Sequence, residues 1–102
     1  MVQAEPKHLN EVRKIVSELA PGIPVWVFGS RLDPSPKRHA DLDLALLDDP
    51  PMPFASFSRL MDALEESDVP FRVDVCRWSL LTEEFRRILE KKHELFVDSA
   101  SA

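Results

Sequence analysis

Glycine and cysteine are scarce in this chain, with two glycines and one cysteine among 102 residues. A lone Cys76 cannot close an internal disulfide, so nothing points to an oxidising compartment. Basic residues are also outnumbered, 13 against 18 acidic ones, for a net charge of −5. That balance opposes non-specific duplex binding, which depends on neutralising phosphates, and no direct contact with nucleic acid is expected. No apolar run approaches membrane-spanning length, and "MVQAEPKHLNEVRK" has no apolar signal core. A soluble, cytoplasmic protein without a membrane partner is the expectation. What is present suffices for a core: 44% of the residues are apolar. The chain is therefore read as one domain spanning residues 1–102, large enough to fold without staples.

Leu9, Val12, Ile15, Val16 and Leu19 recur at helical spacing behind Pro6, and Pro21-Gly22 ends that helix. "PVWVF", residues 24–28, reads as a buried strand. "DLDLALL" alternates, with Leu42, Leu44 and Leu46 on one face and Asp41, Asp43 and Ala45 on the other. Phe54, Phe57, Leu60, Met61 and Leu64 mark a second helix. "FRVDVC", residues 71–76, is a third strand, with Arg72, Asp74 and Cys76 on one face. Thr82 caps a last helix with Glu83 and Glu84 in its first turn and Lys91, Lys92 and His93 in its last. Leu81, Phe85, Ile88, Leu89 and Leu95 are its expected buried stripe. The order is α-β-(α)-β-α-β-α. The predicted class is α+β: a small mixed sheet with helices packed mainly on one face. The first two strands are expected antiparallel and the third parallel to the second.

With glycine so rare, the pair Gly29-Ser30 at the end of the first strand is informative. A glycine there lets the backbone approach a ligand closely. Exposed amides in the turn, the Ser30 hydroxyl and the Arg31 guanidinium are suited to phosphate oxygens. Asp41 and Asp43 project from one strand face roughly 7 Å apart along the backbone. Two carboxylates that close repel unless a cation compensates. Magnesium is the natural cation, because it prefers oxygen ligands and keeps waters and substrate phosphates. Two metals need a further carboxylate, and Asp74 supplies it if its strand lies beside the Asp41–Asp43 strand in register. The parts make one site: metals on Asp41, Asp43 and Asp74, and a nucleoside triphosphate held at Gly29, Ser30 and Arg31. Lys37, Arg38 and His39 read as a solvated basic loop, and Trp26, Trp78 and Cys76 as core or partner-surface residues.

Gly29-Ser30, ten residues, then Asp41-x-Asp43 resembles the motif of the minimal nucleotidyltransferases, in the DNA polymerase β-like nucleotidyltransferase superfamily. Taking each fixed residue near the ~7% typical of glycine, chance produces this spacing in such a chain roughly a few times in a thousand. The resemblance implies the nucleotidyltransferase fold and transfer of a nucleoside monophosphate, AMP from ATP, with pyrophosphate leaving. It implies that Asp41 and Asp43 bind magnesium ions, two being expected. It also implies that Asp74 helps hold the catalytic ion and activates the acceptor hydroxyl, and that Gly29 and Ser30 contact phosphates. Small members often act as antitoxins to HEPN-domain RNase toxins, several by transferring AMP to a toxin tyrosine. A HEPN-type toxin is thus the partner the resemblance implies.

Ala40 stands where members often carry serine before the first aspartate, and the loop "RLDPSPKRHA" lacks their glycines. Two other readings therefore stay open. One is an antitoxin that binds and occludes its toxin without catalysis. The other is a nucleotidyltransferase of small molecules, built as a homodimer that makes an acceptor pocket between subunits.

Overall fold

A computed structural model describes residues 4–29 and 41–98. Helix α1 (Pro6–Leu19) leads into strand β1 (Val25–Phe28) and, beyond the next described residue, Asp41, strand β2 (Leu42–Leu46). Helix α2 (Phe54–Glu66), strand β3 (Val73–Arg77), a 3-10 turn at Trp78–Leu80, helix α3 (Glu83–Lys91) and strand β4 (Glu94–Val97) follow. The sheet order is β3-β2-β1-β4. Strand β1 runs antiparallel to β2, and β2 runs parallel to β3, as the connection lengths predict, while β4 adds an unexpected antiparallel neighbour to β1.

Alternation along the strands divides the molecule in two. Val25, Val27, Leu42, Leu44, Leu46 and Val73 point to one face, where they pack with Leu9, Val12 and Val16 of α1 and Leu60 and Leu64 of α2. Leu42, Leu44 and Leu46 are fully buried, each contributing about 1.5–3 kcal/mol by leaving water. Pro6 occupies the start of α1, where its missing N–H costs nothing. The opposite face carries Trp26, Phe28, Asp43, Ala45, Asp74 and Cys76. Helix α3 lies on that side: Phe85 meets Phe28 edge-on at 6.1 Å, and Leu89 is buried. Helices α1 and α2 thus share the main core face.

The C-terminal segment departs from the sequence expectation. Helix α3 ends at Lys91, and Lys92 turns out of helical geometry at φ −145° and ψ 100°. Lys92 and His93 therefore lie beyond the helix, and Leu95 belongs to β4 rather than to a helical stripe. Of the expected stripe only Leu89 is buried, while Ile88 and Leu95 are more than half exposed. The strand forms because it gives the open edge of β1 a hydrogen-bonded neighbour and buries Phe96 and Val97. The expected cap is present: the Thr82 hydroxyl accepts the Phe85 N–H at 3.1 Å, with Glu83 and Glu84 in the first turn.

Candidate active site

The end of β1 fixes the geometry. Phe28 is the register partner of Asp43, so the chain leaving β1 passes beside that carboxyl. Gly29 sits at φ +83°, a conformation that side chains disfavour. A β-carbon there would collide with Asp43 Oδ2 and come within 3.2 Å of its Cγ. Glycine is required here twice, for its backbone angle and for the close approach.

Asp43 is in turn the register partner of Asp74 across the parallel β2–β3 pair. Asp41, two residues earlier, shares the Asp43 face by strand alternation. The carboxylates sense one another. Asp43 is pushed above its ordinary value by burial, then by the charges of Asp74 and Asp41. Arg72, also on this face, approaches Asp74 Oδ1 at 3.8 Å with both side chains largely exposed. Such an exposed pair is weak.

Asp43 and Asp74 line a cavity of about 200 Å³ whose other walls are Phe28, Val75 and Cys76. Burial, together with the charges of Asp43, Asp74 and Asp48, outweighs a lowering backbone hydrogen bond and pushes the Cys76 thiol up to about 11. At neutral pH it is a protonated wall, not a nucleophile. Among the described residues no group of three or more His, Cys, Asp or Glu side chains is already gathered to hold a metal ion. The donors nevertheless fit magnesium. They are oxygens alone, and Asp43 feels the like charges of the other two. Ser30 and Arg31, like Lys37, Arg38, His39 and Ala40, lie outside the described residues.

A feature the sequence reading missed sets the Asp43–Asp74 register. Asp48, just past β2, is buried and accepts from Arg77 Nε at 2.9 Å, Ser79 N at 3.0 Å and Ser79 Oγ at 3.0 Å. Arg77 donates onward to the Met52 carbonyl at 2.5 Å. Burial alone would raise the Asp48 carboxyl, but these donors outweigh it and hold the group below its ordinary value. Leu46 is the register partner of Arg77, so the knot locks the ends of β2 and β3 together. A carboxylate directly after an apolar strand was the only local signal; its partners lie 29 and 31 residues away.

No protein-family model matches the sequence. The chain is 42% identical over 85 residues to "Probable protein adenylyltransferase MntA" of Haemophilus influenzae, covering 83% of this chain and 75% of that protein. A crystal structure of a toxin–antitoxin with AMP-PNP matches with a TM-score of 0.72 at 18% identity, covering 88% of this chain and 73% of that one. A crystal structure of the toxin–antitoxin MntA-HepT matches with a TM-score of 0.58 at 15% identity, covering 94% and 74%. At such identities the structural matches speak for the fold. Among the described residues no helix is long and apolar enough to cross a membrane.

Proposed function

The chain belongs to the MntA family of minimal nucleotidyltransferases, and from that premise we propose that it transfers AMP from ATP to a protein partner. The observation that carries the reading is the register match of Asp43 with Asp74, beside a glycine whose place leaves no room for a side chain against the Asp43 carboxyl. Asp41, Asp43 and Asp74 hold magnesium, and Gly29, Ser30 and Arg31 hold the triphosphate. Magnesium, when bound, neutralises phosphate charge and offsets the repulsion among the carboxylates. Asp74, the most exposed of the two register partners, takes the proton of the attacking hydroxyl. Gly29 leaves the backbone free to approach the phosphates, and the Phe28, Val75 and Cys76 walls limit water around Asp43.

The partner in this reading is a HEPN-type RNase toxin, which the chain neutralises as an antitoxin in the cytoplasm, as one domain over residues 1–102. The relative's name as a protein adenylyltransferase and the toxin–antitoxin assemblies among its structural neighbours support it. The test uses ATP radiolabelled on its α-phosphate with the co-expressed partner. Label appears on the partner with the unmodified chain and vanishes with Asp41→Asn plus Asp43→Asn. Absence of label with the unmodified chain refutes the reading.

A further inference from the structure

We infer that Phe85, on the first turn of α3, is the platform on which the base of the nucleotide stacks. This rests on the nucleotidyl-transfer reading above and adds what holds the base. The motif residues Gly29, Asp41 and Asp43, with Asp74, suit phosphate and metal and offer a base no surface. The base therefore needs a contact from elsewhere in the fold.

The sheet places that contact. Phe28 is the register partner of Asp43, and side chains paired in this way stand about 5 Å apart at their β-carbons. Phe28 also walls the cavity that Asp43 and Asp74 line. Phe85 meets Phe28 edge-on, with ring centres 6.1 Å apart. Two aromatic rings thus lead in sequence from the carboxylates to α3. With the α-phosphate at the carboxylates and the outer phosphates at Gly29, a ribose spans the step from the α-phosphate to a base on the second ring.

Among the described residues, the other aromatic groups of this face are already engaged with one another. Trp26 stacks on His93 at 3.7 Å and meets Trp78 edge to face at 5.4 Å. Arg86 lies over the Trp78 ring at 5.2 Å. Phe85 by contrast is 37% exposed, and Ile88, one turn further along α3, is 57% exposed. The buried anchor of that helix is Leu89, so packing α3 on the sheet does not account for a phenyl ring at position 85. The ring is also held in place without the Thr82 cap, because the Arg86 guanidinium donates twice to the Trp78 carbonyl, at 3.1 and 2.7 Å. A phenyl group makes no hydrogen bonds of its own. It reads the π-face of a base and not its edge, and such stacking tolerates any base.

The test measures Kd of the full chain, with magnesium, for AMP-PNP and for inorganic tripolyphosphate, which has neither ribose nor base. Phe85→Leu keeps an apolar contact with Phe28. It is expected to weaken AMP-PNP binding at least about fivefold and leave tripolyphosphate within about twofold, while Phe85→Tyr binds both as wild type does. The second readout is the NMR signal of the adenine ring protons in bound AMP-PNP. They are expected to shift upfield on the unmodified chain and not on Phe85→Leu, a ring-current effect that a merely structural role for Phe85 would not produce. An unchanged affinity for AMP-PNP, an equal loss for both ligands, or no upfield shift on the unmodified chain overturns the proposal. If the upfield shift appears while the unmodified chain transfers no label to its partner, the base platform stands and the nucleotidyl-transfer reading fails. If label is transferred without the shift, the transfer reading stands and the platform is refuted.

Discussion

Asp43 and Asp74 are paired in register on parallel neighbouring strands, and the charge of Asp74 helps to raise Asp43 above its ordinary value. Like charges at that spacing weaken a sheet. The sequence tolerates them at the one place where Gly29 brings the backbone against Asp43. A site that costs stability without its ligand is expected to regain it when the ligand binds.

Asp43 is raised above its ordinary value, so the folded chain holds that proton more tightly than the unfolded one. The associated stability is present below the unfolded value near 4 and is lost as pH rises through the folded one. At neutral pH without metal, Asp43→Asn is expected to match or exceed the wild-type Tm. Added magnesium raises the wild-type Tm and not that of the variant. Scanning calorimetry with and without magnesium checks both.

The two glycines are predicted to respond differently to alanine. Both have positive φ, but a β-carbon at Gly22 meets nothing within 4 Å, whereas at Gly29 it meets the Asp43 carboxyl. Gly22→Ala should cost about 1 kcal/mol from backbone strain alone. Gly29→Ala should cost about 2–3 kcal/mol and also weaken nucleotide binding. Urea unfolding and titration with a fluorescent ATP analogue separate the effects.

Much of this architecture is legible in the residue pattern, because periodicity marks α1, β1, β2 and α2, and Pro21-Gly22 and the prolines before Phe54 punctuate the sequence between them. The alternation of "DLDLALL" and "FRVDVC" places Asp41, Asp43 and Asp74 on usable faces, but alternation says nothing of register. That depends on Asp48 and Arg77, whose contact spans 29 residues. Strand β4 stayed hidden for a local reason. "KKHELFV" has no glycine or proline between helix and strand, and Leu95 continues the spacing set by Ile88. Pairing with the free edge of β1 decides the matter, and that is a tertiary effect.

The Asp48 knot predicts an acid-sensitive fold. Its carboxyl is held below the ordinary value, so its stabilisation is present above the unfolded value near 4 and is lost as pH falls through the folded one. Asp48→Asn leaves the nearly buried Arg77 without its counter-charge and should cost about 3–5 kcal/mol at neutral pH. Urea midpoints measured against pH should fall on the acid side for wild type and vary less for the variant.

Thr82→Ala removes the α3 cap and should cost about 1 kcal/mol. Because the cap touches neither carboxylate nor Gly29, nucleotide affinity should not change. A circular-dichroism melt paired with the nucleotide titration reads both.

The most direct measurement replaces magnesium with paramagnetic manganese in the presence of AMP-PNP and follows NMR line broadening along the chain. The account predicts that amides of Gly29, Asp43 and Asp74 broaden first and together, and that Asp43→Asn abolishes the effect. Broadening centred elsewhere, or reaching Asp43 but sparing Asp74, would contradict it.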